Sequence, residues 1–75
     1  MHFNIRLQRQ GDGTWSGWIA EDLALKVSGP TQGIVLRKVK AEVLQSLARR
    51  IEAGDLEQES VFQFYQSVVG NRHAL

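Results

Sequence analysis

From His2 to Arg9 the chain alternates apolar and polar residues without a break, with Phe3, Ile5 and Leu7 on one side and Asn4, Arg6 and Gln8 on the other. A two-residue period of this kind predicts a strand with one wet face. Gly11-Asp12-Gly13 follows, a cluster able to adopt the positive φ angles of a tight hairpin loop. Trp15, Gly17 and Ile19 then alternate with Ser16, Trp18 and Ala20, a second strand rich in aromatic and β-branched residues that pairs antiparallel with the first. Glu21-Asp22 interrupts the pattern, and Leu23 to Val27 predicts a short third strand stopped by Ser28-Gly29-Pro30.

Beyond Thr31, placed as an N-cap, the period changes. Leu36, Val39, Val43, Leu47 and Ile51 recur at three- and four-residue intervals, with Val35, Leu44 and Ala48 widening the stripe. This predicts a helix over Gln32 to Ala53, packed on Phe3, Ile5, Leu7, Trp15 and Ile19. Gly54 suits the left-handed residue that ends a helix, and Arg49 and Arg50 suit the negative end of its dipole. Ser60 to Val69 is dense in aromatic and β-branched residues, which favours a fourth strand. The alternative is a helix, because Asp55 followed by Gln58 imitates a capping box and Val61, Tyr65 and Val68 share a helical face. Gly70 to Leu75 reads as a loose tail after a single domain of residues 1–69.

The order strand, strand, strand, helix, strand predicts an α+β two-layer sandwich: one helix on one face of a small, mainly antiparallel sheet. One helix cannot cover both faces, so the other stays wet or meets a partner. Trp18 falls on that side when Ile19 points inward.

Composition narrows the classes. Seventy-five residues, 43% hydrophobic and 23% charged, describe one globular domain. A chain of this size buries only roughly 60% of its unfolded surface, so self-association, most simply as a homodimer, is an attractive supplement to a small core. Without cysteine there is no disulfide framework, thiol nucleophile or cysteine metal site, which suits a reducing cytoplasm. The first residues alternate instead of running charged and then apolar, so neither a signal peptide nor a membrane span is expected, and a cytoplasmic location is. A net charge of +1 does not announce a nucleic-acid binder.

Catalytic chemistry is thinly represented. His2 and His73 lie near the chain ends, where pKa tuning is least effective. Gly11-Asp12-Gly13 lacks the Lys-Ser/Thr of a phosphate loop, and Asp12, Glu21 and Asp22 match no calcium-loop spacing. No catalytic residue, cofactor site or metal site is expected. Charge is lopsided: Lys26, Arg37, Lys38, Lys40, Arg49 and Arg50 face the single acid Glu42, and Glu52, Asp55, Glu57 and Glu59 follow. Arg37, Lys38 and Lys40 sit early in the helix, where the dipole disfavours cations, so helix design does not account for them. Trp18, a large aromatic on the wet phase, suits an interface anchor or a base-stacking platform.

The strand from Phe3 to Gln8, the Gly11-Asp12-Gly13 turn, Trp15-Ser16-Gly17-Trp18-Ile19, the pair Asp22-Leu23, and Val27-Ser28-Gly29-Pro30-Thr31 opening a long helix together resemble the HicB-like antitoxin domain. The match covers roughly residues 2–53. Ala24-Leu25 stands where that family usually has Pro-Gly, and Gly33-Ile34 replaces its acidic pair at the helix start. The resemblance implies a non-enzymatic protein-interaction module that inhibits an RNA-cleaving toxin, such as a HicA-like one, by stoichiometric binding. Too few residues follow Gly54 for the DNA-binding domain that such antitoxins usually append, so operator binding is not implied. Arg6, Trp18, Arg37, Lys38 and Lys40 are the expected partner-binding residues. The alternative is a small RNA- or DNA-binding domain that uses the basic helix face together with Trp18.

Overall fold

In the computed structural model, which describes residues 2–55 and 62–70, the alternating segments form strands β1 (His2–Arg9), β2 (Trp15–Ile19), β3 (Asp22–Gly29) and β4 (Gln63–Val68), and the 3.6-period segment forms helix α1 (Gln32–Glu52). The sheet order is β3-β2-β1-β4, antiparallel within β3-β2-β1 and parallel between β1 and β4. This is the α+β sandwich that the alternation implies, with one helix packed on one face of a mixed sheet. The last segment is a strand, with Phe3 stacked on Phe64 across the parallel pair at 5.7 Å between ring centroids. Gln58 lies outside the described residues, as does the expected tail apart from Gly70.

Local chemistry sets the first hairpin. Gly13 takes φ 91°, its N–H donates to the Gln10 carbonyl, and the Gln10 N–H donates to the Thr14 carbonyl. That is a three-residue loop ending in a left-handed glycine. The Asp12 carboxylate accepts from both the Thr14 N–H and hydroxyl, which hold it below its usual pKa, the hydroxyl bond being the larger cause. At the helix start the Thr31 hydroxyl accepts from the Ile34 N–H. At its end Gly54, at φ 82°, donates to the Ile51 carbonyl while Asp55 donates to that of Arg50, the paired bonds of a Schellman motif.

The core consists of Ile5, Leu7 and Ile19 from the sheet and Val35, Val39, Val43 and Leu47 from the helix. Burying such side chains contributes about 1.5–3 kcal/mol each, so a core this small depends on every member. The buried helical stripe runs at strict four-residue spacing and is narrower than its sequence suggests. Leu36 is only half-buried, Ile51 is 38% exposed, Leu44 is 51% exposed and Ala48 is exposed. The reason is placement: α1 lies over β3, β2 and β1, and its backbone stays away from β4, which it meets through the Lys40 side chain over Phe64. Phe3 and Trp15, expected in the core, are half-buried at its margin.

The third strand is longer than its apolar run. It continues through Ser28 and Gly29, because both pair with β2 opposite Ser16 and Trp15, and Pro30 ends it. Its other end is irregular: Trp18 pairs with Lys26 but Ile19 with Asp22, so Leu23, Ala24 and Leu25 bulge out of register and Leu23 is 72% exposed.

Candidate functional site

The hairpin loop fixes which residues meet on the outer face. Once Gln10 is bonded to Thr14, each step along β1 is matched by one along β2, which brings Gln8 opposite Ser16 and Arg6 opposite Trp18. Next along the sheet, Lys26 of β3 pairs with Trp18 and Ser67 of β4 with Arg6. The face away from the helix therefore carries a continuous row, Lys26-Trp18-Arg6-Ser67. Arg6 Nη1 donates to Ser67 Oγ at 3.0 Å, and Lys26 Nζ sits 5.6 Å from the centre of the half-buried Trp18 ring, within cation–π range.

Neighbouring rows are polar. Ser16 is buried although it lies on this face, since Gln10 closes over it and donates from Nε2 to its Oγ at 2.6 Å. On the other flank the His2 and Tyr65 rings lie 5.6 Å apart and the Tyr65 hydroxyl donates to Gln63 Oε1. Glu21, in the β2–β3 turn, accepts from the Asn4 N–H at 2.9 Å and from its side-chain amide. The backbone donor is the larger cause of a Glu21 carboxyl pKa below the ordinary value, and the charge on Arg6 adds a smaller push in the same direction. The surface thus combines two large aromatics, Trp18 and Tyr65, two cations and several committed polar groups.

Of the five expected binding residues, the fold brings together Arg6 and Trp18 and places the other three in the opposite layer. Lys38 donates to the Ser28 carbonyl at 2.9 Å, Lys40 reaches over the Phe64 ring at 5.9 Å, and Arg37 is exposed on the helix. A single surface built from the basic helix turn and Trp18 is excluded by the sheet between them. Helical spacing also turns Lys38 and Lys40 toward opposite flanks, one to β3 and one to β4.

Lys26 and Ser67 belong to the row without having been singled out from sequence. Lys26 was within reach, because alternation in Leu23 to Val27 sets it opposite Leu25 and Val27. Ser67 required knowledge that β4 pairs with β1.

A cleft of about 290 Å³ opens between the second half of α1 and the β2–β3 turn, with Phe3, Ile19 and Val43 in its lining and Glu21 and Arg50 at its rim. Glu21 is already committed to Asn4 there. Among the described residues no three His, Asp or Glu side chains converge on a common point, and no helix is long and apolar enough to cross a membrane. No known protein family, curated protein or solved structure matches the chain.

Proposed function

We propose that this chain is a non-enzymatic protein-interaction module, acting in the cytoplasm, that covers a partner's surface with the outer face of its sheet. The observation that carries the proposal is the Lys26-Trp18-Arg6-Ser67 row, a half-buried tryptophan between two cations on a face that, among the described residues, no element covers. Trp18 is the apolar anchor, and Arg6 and Lys26 are polar contacts beside it for carboxylate-bearing groups of the partner. The HicB-like order of motifs supports, as that partner, a small RNA-cleaving toxin of the HicA type, inhibited by one-to-one occlusion.

Co-expression with such a toxin tests the reading. The chain should restore growth and copurify in equal stoichiometry, and Trp18→Ala should weaken the purified complex about thirtyfold, since anchor aromatics commonly contribute about 2 kcal/mol. Arg6→Ala should cost less. Absence of a complex with the unaltered chain, or a Trp18→Ala affinity equal to that of the unaltered chain, would overturn it.

The same row favours one second reading, a single-stranded RNA or DNA surface with Trp18 as the stacking residue and Arg6 and Lys26 against phosphates. It ranks below the first because the Lys26 ammonium lies over the ring face that a base would need. Titration of fluorescent RNA at about 50 and 200 mM salt separates the two, because phosphate contacts weaken steeply as counterions are added.

A further inference from the structure

The two edges of the sheet are built differently. On β3 the ladder is broken by the Leu23 to Leu25 bulge, Lys26 is a charged residue in the strand, and Lys38 occupies the Ser28 carbonyl. Bulges and lysines are the devices by which proteins blunt an exposed edge. The other edge, β4, has an unbroken ladder to β1, and its own residues Gln63-Phe64-Tyr65-Gln66-Ser67-Val68 hold no charge, proline or glycine. The one lysine near it, Lys40 of the helix, lies over the Phe64 ring and, among the described residues, makes no bond to the strand's backbone, and Tyr65 and Val68 are half exposed.

Backbone direction on β4 follows from one bond. The Val69 N–H donates to the Leu7 carbonyl at 2.7 Å, so the odd-numbered residues turn their peptide groups toward β1. The even-numbered residues Phe64, Gln66 and Val68 therefore aim N–H and C=O away from the sheet. Their side chains share the helix-side face with Phe3, Ile5 and Leu7. On that face Phe64 packs at the margin of the core under the Lys40 side chain of α1, while Gln66 and Val68 are exposed.

From this geometry we infer that β4 pairs antiparallel with β4 of a second copy, with Gln66 on the two-fold axis, to give a continuous eight-stranded sheet. A two-fold axis normal to the sheet keeps each face on its own side, so a residue can lie opposite only one of like parity. Centring on Gln66 sets Phe64 opposite Val68 of the second copy, twice, and all three outward-facing residues of each strand exchange both of their backbone bonds. The exposed Val68 is covered by an aromatic ring, the paired Gln66 amides can bond to each other, and no like charges meet. A strand without charge that is complementary to itself in the register its backbone permits specifies a second copy as occupant. The inference is independent of the antitoxin-like reading: the outer faces of both copies stay open, with the two Trp18 rows on the same side of the joined sheet.

Single-cysteine cross-linking tests the register in a chain that has no cysteine of its own. Directly opposed residues of a hydrogen-bonded pair have Cα atoms about 5.5 Å apart, within disulfide reach. Gln66→Cys should give a disulfide-linked dimer in a glutathione redox buffer. Tyr65→Cys and Ser67→Cys should remain largely unlinked, because each lies two residues out of register with its own copy. Light scattering on the unaltered chain should give the mass of a dimer at micromolar concentration, and Gln66→Lys should lower it to that of a monomer while leaving the circular dichroism unchanged. Amide exchange supplies a readout that does not depend on any variant: Phe64, Gln66 and Val68 should become protected as concentration rises, while Tyr65 and Ser67 are protected throughout. A monomeric mass for the unaltered chain, or cross-linking at 65 or 67 in preference to 66, would overturn the inference. Trp18→Ala should not change the mass, which separates this test from that of the outer face.

Discussion

At the residue scale, Gly17 shows how one missing side chain sets the distance between the layers. A Cβ at Gly17 would lie 2.6 Å from Val35 Cγ1, 3.1 Å from Leu7 Cδ2 and 3.2 Å from Val39 Cγ2, and Val35 and Leu7 are fully buried. Val35 branches at Cβ and has few rotamers with which to retreat. Gly17→Ala should therefore cost about 1–3 kcal/mol, read as a melting-point drop of roughly 4–8 °C per kcal/mol. Val35→Ala in the same chain should recover part of that loss, a coupling measurable in a double-mutant cycle, whereas Gly11→Ala, with open space around it, should be nearly neutral. Glu21 supplies the pH-dependent counterpart. Its folded pKa lies below the ordinary 4.5 because the Asn4 N–H donates to the carboxylate. Its contribution is thus complete above that value and is lost as the pH falls through the lower, folded one. Urea midpoints at about pH 7 and pH 3 should show Glu21→Gln less stable than the unaltered chain at the higher pH and the difference shrinking at the lower.

At the scale of the element, the helix separates burial from hydrophobicity. Val43 and Leu47 are 3% exposed and Leu44 is 51% exposed, although all three lie within one apolar pattern. Val43→Asp or Leu47→Asp should abolish cooperative thermal unfolding, because an unpaired charge in the core costs several kcal/mol out of a total of about 5–15. Leu44→Asp should retain it. Calorimetry on the three variants checks this, and equal melting points would mean that the helix is rotated about its axis. The antiparallel pairing of the first hairpin and the phase of its strands were legible from the Gly11-Asp12-Gly13 loop and the alternation around it, whereas the register that sets Arg6 opposite Trp18 came with the Gln10–Thr14 closure. The third strand was not legible in full, because its bulge breaks the alternation and its last two residues are held by pairing to β2, independent of their own hydropathy.

On the scale of the whole molecule, connectivity makes β1 the centre of the sheet. It is flanked by β2 and by β4, and β4 arrives last in sequence after α1 has crossed β2 and β1. Amide exchange should be slowest at Ile5 and Leu7, which open only with the fold as a whole, and fastest in the Leu23 to Leu25 bulge. Exchange from β1 as fast as that from the bulge would show that the sheet does not unfold as one unit.

The sequence by itself determined the order of the first two strands and the helix, the presence of a third strand between them, the cap and end of the helix, and the in-or-out phase of β1 and β2, because periodicity, turn chemistry and capping act over a few residues. It left the last segment open between strand and helix, and pairing with β1 made it a strand. Only the tertiary structure decided where α1 sits across the sheet, over β3, β2 and β1, with the Lys40 side chain reaching β4. It also decided that Arg37, Lys38 and Lys40 lie in the layer opposite Trp18, with Lys26 and Ser67 beside Trp18 and Arg6 instead. These outcomes depend on strand order and helix rotation. Both are settled by packing between residues far apart in the chain, for which local pattern carries no signal.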